Sequence, residues 1–282
     1  MEHSPRGDFK DDAAEPLRNP TRPRLAVLRV RSLDGHSPKK SDGPHSSHEL
    51  QNVSDLQCSK KPKRDGASRG EPADGDSFLW WFGGGTDLSP SYIFEDDCVF
   101  FHEKLREQCN RHDPKYYARF KRWCDTYFRN HHRSDARGIG GIFFDDLNDN
   151  MLSSPEKFFA FAEDGLKTFI AAYVPILAKR KDEPFTEREK IWQQIRRGRY
   201  VEFNLVHDRG TKFGLQVPGS RVESILLSLP LTARWEYCHE AEKGSREEEA
   251  QLLFAGKPRD WIPIDETHLE GFSWPTESGA RV

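Results

Sequence analysis

Apolar residues are spread very unevenly along this chain. From residue 1 to about 76 no apolar period is sustained, and runs such as HSPKKSDGPHSSHE and SKKPKRDGASRGEPADGD mix charge with Ser, Gly and Pro. The one apolar island there is PRLAVLRVRSL, Pro23–Leu33, which reads as a lone strand. Such a segment cannot bury enough apolar surface to offset its ordering entropy, so disorder is expected over residues 1–76. Beyond Phe78 the pattern becomes regular. DDCVFFHEKLREQC places Phe101, Leu105 and Cys109 on one helical stripe, with Asp96 and Asp97 near the N-terminal end where carboxylates suit the helix dipole. DPKYYARFKRWCDTYF continues with an aromatic face of Tyr116, Phe120, Trp123 and Tyr127. GIGGIFFDDL, Gly138–Leu147, is too short and glycine-rich for a helix and predicts a strand under close packing. Ser154 and Pro155 predict the cap and first position of the next helix, and Thr186–Glu189 is a capping box ahead of Ile191, Trp192 and Ile195.

From Tyr200 the alternation changes to period two. Val201, Phe203 and Leu205 fall on one face, Tyr200, Glu202, Asn204 and Val206 on the other, which predicts a strand. HDRG would turn the chain, TKFGLQV would return it antiparallel, and PGSRVESILLSLP would begin a helix with Ser220 and Arg221 in its first turn. The polar face of this hairpin is either a ligand-facing surface beside a helix start that suits carboxylates or a solvated outer face. Helices flanking a mostly antiparallel sheet make the expected class α+β. The expected organisation is a low-complexity segment over 1–76, one folded domain over 77–265 and a flexible tail over 266–282.

Composition sharpens this picture. Only 35% of the chain is hydrophobic and 32% is charged, yet all seven Trp, all seven Tyr and 18 of the 19 Phe lie beyond residue 77. The aromatic part is long enough for one sizeable core. With 43 basic and 46 acidic residues the formal charge is −3, which disfavours general attraction to nucleic acid, RRGRY notwithstanding. Five cysteines with no C-x-x-C pair are read as free thiols in a reducing compartment. No run reaches transmembrane length and the N-terminus has no secretory h-region, so a cytoplasmic protein is expected. The 11 histidines show no metal-ligand spacing. DDLNDN lacks the glycine and terminal glutamate of a calcium loop, and FGGGTD lacks the Lys-Ser/Thr of a phosphate loop, so the latter is read as a tight turn.

Four stretches together resemble the oxygen-dependent coproporphyrinogen-III oxidases: WWFGGGTDLSP (Trp80–Pro90), RGIGGIFFDDL (Arg137–Leu147), WQQIRRGRYVEFNLVHDRGTKFGL (Trp192–Leu215) and PGSRVESILLSLPLTARWEY (Pro218–Tyr237). PRDWI closes a similarity running from about Leu79 to Ile262. The resemblance implies a homodimer whose subunit is a large, mostly antiparallel sheet with helices on both faces. It implies that two propionates of coproporphyrinogen III are oxidatively decarboxylated to vinyl groups, giving protoporphyrinogen IX on the haem pathway. Molecular oxygen is the oxidant, with no metal or organic cofactor.

Residue by residue, the resemblance assigns Asp208 and Arg209 to catalysis. The carboxylate would accept from pyrrole N–H groups and the guanidinium would pair a propionate or hold Asp208; the alternative is that the two cap a turn. Tyr200, Val201, Glu202, Gly219, Ser220 and Arg221 match substrate-binding positions, Arg221 suiting a propionate or, alternatively, pairing with Glu223 or Glu202. His132 matches a position linked to dimer contacts or is simply solvated, and Tyr200–Glu236 contributes to the family's subunit interface. The family's general acid/base histidine lies in an earlier His-Gly-Asn stretch that this sequence does not contain, and its first strands find no counterpart in residues 1–76. His207 stands where the family usually has tyrosine. The expectation is therefore an oxidase of which this sequence is an incomplete record, or else a tetrapyrrole-binding relative without turnover, or an interaction protein using its basic tail. The family's compartments also leave mitochondrion or plastid open.

Overall fold

In the computed structural model, residues 82–147 and 154–272 are described. The expectations for residues 1–76, including the island Pro23–Leu33, and for the second half of DDLNDN lie outside them, as does the end of the tail. Strand β1 (Phe82–Asp87) pairs antiparallel with β4 (Gly141–Leu147), setting Gly84 opposite Phe144 and Thr86 opposite Ile142, with a register shift between Phe82 and Gly84. FGGGTD is thus a strand rather than a tight turn. Its glycines explain why: a Cβ on Gly85 would stand 2.8 Å from the Ile142 carbonyl, and one on Gly141 2.1 Å from that of Thr86. Side chains at these positions would force the two backbones apart.

Helix α1 (Glu95–His112) buries Phe101, Leu105 and Cys109, and opens with Glu95, Asp96 and Asp97 as the sequence indicated. Helix α2 (Lys115–Tyr127) buries Tyr116 and Phe120 and lies on β4, while α1 packs on α2 and on α3 (Pro155–Arg180). Ser154 stands at the α3 N-cap with Pro155 following, although its hydroxyl makes no capping bond. The core is aromatic: Phe120, Phe144, Phe158 and Phe161 meet at centroid separations of 5.1 to 6.0 Å. Short strands β2 (Arg129–Asn130) and β3 (Asp135–Ala136) form a second pair around a 3-10 turn, His131–Arg133.

The large antiparallel sheet is not found among the described residues; two two-stranded sheets are. The expected hairpin from Tyr200 is likewise replaced. The capping box at Thr186 starts α4 (Glu187–Glu202), a π turn follows at Phe203–His207, and α5 (Arg209–Gln216) runs where the return strand was expected. The reason lies in a competing period. Trp192, Ile195, Arg196, Tyr200, Phe203 and Asn204 are all buried and recur every three or four residues, whereas Leu205 and Val206, from opposite faces of the expected strand, are both exposed. The helical period, already nucleated by the box, wins. Helix α6 (Val222–Ile225) begins after Arg221, which occupies its N-cap rather than its first turn. Helix α7 (Arg246–Ala255) returns Ala250 and Phe254 to the core. The first residues of the expected tail, Glu266–Leu269, form a 3-10 turn against α2, where Arg119 Nε donates to the His268 carbonyl at 3.0 Å. Cys98, Cys109 and Cys124 are buried free thiols and Cys238 is an exposed one.

Candidate functional site

The chemistry-bearing residues gather where the α4–α5 junction meets the 3-10 turn between β2 and β3. Glu202, the last residue of α4, is the hub. Its carboxylate accepts from His132 Nε2 at 2.9 Å, from Arg133 at 2.5 and 2.8 Å, from Trp235 Nε1 at 2.8 Å and from Arg199 at 3.3 Å. Burial pushes this carboxyl up, but the bonds from Arg133, His132 and Trp235 more than offset it and leave it at about 2. The other nitrogen of His132, Nδ1, lies 2.8 Å from Nε2 of His207, whose ring stacks on it with centroids 5.1 Å apart; His131 meets the His207 edge at 5.4 Å.

One residue on, Asp208 is 5% exposed and its carboxylate caps α5. It accepts from the Thr211 backbone at 3.0 Å, the Thr211 hydroxyl at 2.6 Å and the Tyr127 hydroxyl at 3.1 Å. The capping alternative raised by the sequence therefore describes what Asp208 does here, with a helix in place of a hairpin turn. Arg209 pairs with Asp145 at the end of β4 and lies over the Tyr127 ring at 5.3 Å. The π turn brings these groups side by side, since its i to i+5 step carries the Asp208 N–H to the Phe203 carbonyl at 2.9 Å.

Beneath the turn, Arg137 is buried and donates to Asp87 at 2.5 Å and to Asn204 at 3.1 Å. Its guanidinium packs on Phe128, Tyr200 and Phe203 at 4.0, 4.8 and 4.9 Å. Tyr200 accordingly faces the core and Val201 is half-buried. Gly219, at φ +77 with open space where a Cβ would be, and half-buried Ser220 lie in the α5–α6 connection with exposed Arg221. Among the described residues the Ser220 and Arg221 side chains bond to neither the Glu202 group nor the Asp208 group. The structure thus joins His132 to Glu202 and sets Asp208 and Arg209 beside them, while Gly219–Arg221 stand apart.

Arg133, Tyr127, Trp235 and Arg137 were not singled out from the sequence as site residues. The run of His131, His132 and Arg133 was the available signal for the first, and a lone Arg before a glycine-rich strand for the last. Among the described residues no three His, Cys, Asp or Glu side chains converge as metal ligands. No helix there is long and apolar enough to cross a membrane. A cavity of about 20 Å³, room for one water, adjoins Asp87, Cys124 and Asp125 behind the site.

Comparison with known proteins gives this arrangement a lineage. The family model for coproporphyrinogen III oxidase matches residues 66–261. The human mitochondrial oxygen-dependent coproporphyrinogen-III oxidase is 54% identical over 192 residues, 68% of this chain and 41% of that protein. The chloroplastic enzyme of Glycine max is 58% identical over 184 residues, 65% of this chain and 46% of that protein, and the Drosophila melanogaster enzyme is 54% identical over 184. The chain therefore spans less than half the length of these relatives. It belongs to the coproporphyrinogen III oxidase family.

Proposed function

We propose that this protein carries out the oxygen-dependent oxidative decarboxylation of coproporphyrinogen III, giving protoporphyrinogen IX in haem biosynthesis. The observation that carries this reading is the 54–58% identity to proteins named as that oxidase. For each propionate the balance is simple. The carboxylate leaves as carbon dioxide and a hydride equivalent leaves the neighbouring carbon. Its two electrons pass to dioxygen, which with protons becomes hydrogen peroxide, and a vinyl group remains. Such chemistry asks the protein to orient and polarise an electron-rich pyrrole, with dioxygen as co-substrate and no metal or organic cofactor.

Exposed Arg209 and, apart from it, exposed Arg221 are guanidinium groups that suit propionates, and Gly219 and Ser220 flank Arg221 alone. Leu205, Val206 and Phe213 are exposed apolar side chains of the kind that would suit the ring system. Homodimerisation is supported by the segment after the π turn. Leu227, Leu231 and Tyr237 are 83, 100 and 97% exposed, a density of bare apolar groups that monomers rarely keep. His132 has both ring nitrogens engaged within its own chain, so its part in a dimer would be to hold Glu202 and the turn behind that surface. The relatives named mitochondrial and chloroplastic favour the organelle alternative over the cytoplasm.

Aerobic incubation of the purified chain with coproporphyrinogen III, read by protoporphyrin fluorescence after oxidation, tests the activity. Turnover is expected; its absence overturns the oxidase reading. One observation favours a second reading, tetrapyrrole binding without turnover: the Asp208 carboxylate is buried and filled by three donors. Saturable porphyrin binding by a chain that does not turn over would select it.

A further inference from the structure

We infer that the outer face of α3 is a docking surface for the chain's own apolar segment, Pro23–Leu33. The observation behind this is a helix that is apolar on both sides. Every exposed position of the neighbouring α1 is polar or charged, Glu103, Glu107 and Arg111 among them. Helix α3 buries Phe158, Phe161, Ala172 and Ile176 on one side, yet Phe159, Leu166, Ile170 and Val174 stand 42, 43, 60 and 48% exposed on the other. Spaced by seven, four and four residues, these four form one ridge. From Leu166 to Ala178 the sequence carries a single charge, Lys167, and Ala171, Pro175 and Ala178 beside the ridge are exposed as well. A helix apolar all round is a buried helix, and a bare ridge of this length marks a docking surface. Pro175 has no N–H to give the Ala171 carbonyl one turn earlier, so a backbone acceptor stands beside the ridge.

The occupant follows from where the chain enters the fold. Strand β1 packs against α3, and Leu88, just beyond the strand, shares a small pocket with Ile176 and Arg180 near the end of the helix. The strand therefore runs along α3, and Phe82 at its start delivers residues 1–81 beside the opening turns of the helix. Two runs in residues 1–81 are apolar. Phe78–Trp81 adjoins Phe82 and reaches only about 13 Å, too short to follow a ridge of about 22 Å from Phe159 to Val174. Pro23–Leu33 is the other: six of its 11 residues are apolar and none is acidic. Residues 34–81 tether it with a reach on the order of 150 Å, several times the length of α3.

Charge fits as well. Arg24, Arg29 and Arg31 suit Glu156 and Glu163, exposed carboxylates on the same side of the helix; Glu163 pairs with Lys167 at 2.9 Å, an exposed contact that is cheaply given up. Tethering removes the need for tight binding. At an effective concentration of about 1 mM, a segment whose free peptide bound with a Kd of about 0.1 mM would be seated roughly nine-tenths of the time. Leu227, Leu231 and Tyr237 serve the subunit contact proposed above and belong to other elements, so the ridge needs no second copy to cover it. The docking stands whether or not the chain turns over a tetrapyrrole.

Limited trypsin digestion of the full chain, with cleavage sites mapped by mass spectrometry, tests the contact. Cleavage after Arg31 should run about 10-fold more slowly than in a free peptide of residues 16–40, because only the undocked fraction can enter the protease. Cleavage after Lys60 should not be slowed and serves as the internal control. Ile170→Lys with Val174→Lys puts two cations on the ridge at positions already exposed; the helices should still form by circular dichroism, and the protection at Arg31 should be lost. Leu25→Asp with Leu28→Asp acts from the other side. It should lose the same protection against a free peptide carrying the same changes, and it leaves the folded domain untouched should the α3 variant fail to fold. Cleavage of the parent after Arg31 at the free rate, or protection that survives either pair of changes in a folded chain, would overturn the proposal. Protection that appears only as protein concentration rises would put a second copy on the ridge. Protection that appears only with phosphatidylcholine–phosphatidylserine vesicles would make the ridge lipid-facing, and either result would overturn the intramolecular docking.

Discussion

Arg137→Met isolates the interaction that ties the β1–β4 sheet to the π turn. The guanidinium is buried, bonded to Asp87 at the end of β1 and to Asn204 in the turn, and packed on three aromatic rings. Methionine keeps much of the volume and removes the charge. What remains is an Asp87 carboxylate only 7% exposed and without its cation. Breaking one side of a buried pair costs about 3–5 kcal/mol, because the surviving charge stays desolvated. Against a total stability of about 5–15 kcal/mol, that is a large fraction. With an m-value of about 2 kcal/mol/M, the urea midpoint should fall by roughly 2 M.

The discriminating variant is the double change, Asp87→Asn with Arg137→Met. If the cost is the orphaned charge, the double variant should be clearly more stable than Arg137→Met alone, with a coupling of about 1–3 kcal/mol in the cycle. Equilibrium urea unfolding followed by tryptophan fluorescence supplies all four corners. A single variant costing under about 1 kcal/mol, or two single costs that simply add, would refute the account of this pair as a desolvated ion pair.

Other outcomes follow from the same packing. Gly138→Ala would press a methyl to 2.2 Å from the Leu88 carbonyl, so a loss of roughly 1–3 kcal/mol or failure to fold is expected in thermal melts. Fully buried Lys121 lies 2.6 Å from both Asp125 and Asp260; Lys121→Met should cost about 3–5 kcal/mol in urea unfolding, and a neutral result would mean the two carboxylates find other partners. Glu202 and Glu247 are each held at about 2 against an ordinary 4.5, so the folded chain binds fewer protons than the unfolded one between those values. Their contribution is complete above pH 4.5 and lost as pH falls toward 2. For Glu202 it amounts to up to about 3 kcal/mol, cut to roughly 1–2 by solvent screening, and Glu202→Gln should remove it from the stability–pH curve. If the chain forms the proposed homodimer through this segment, the parent should sediment as a dimer and Leu227→Glu combined with Leu231→Glu as a monomer; a monomeric parent, or a dimer that the double change leaves intact, would refute the segment as the interface.

Local signals survived translation into structure wherever they were self-sufficient. The capping box at Thr186 is formed on both sides, the stripe of Phe101, Leu105 and Cys109 is buried, and the glycines of RGIGG do mark close backbone approach. Each depends on contacts within a few residues or on sterics that allow one residue type. The motifs also carried enough family-specific detail to place the chain in its lineage. The stretch after Tyr200 was different, because it supports two periods at once. Val201, Phe203 and Leu205 alternate as in a strand, while Trp192, Ile195, Tyr200 and Phe203 recur as in a helix. Which period prevails depends on what is available to pack against. Here the buried Arg137 and Asn130 and the half-buried Phe128, from distant segments, receive the helical face, and no neighbouring strand among the described residues receives the other.

The candidate site shows the same division. The sequence named Glu202, His132, Asp208 and Arg209 individually, from motif positions. That Glu202 and His132 touch across 70 residues of chain, that His207 completes their line, and that Asp208 is spent on capping are facts of tertiary structure. Residue identity fixes which protons can move and which charges can pair. Distances of under 3 Å between groups so far apart in sequence arise only when the chain has folded, and they decide which of those possibilities is realised.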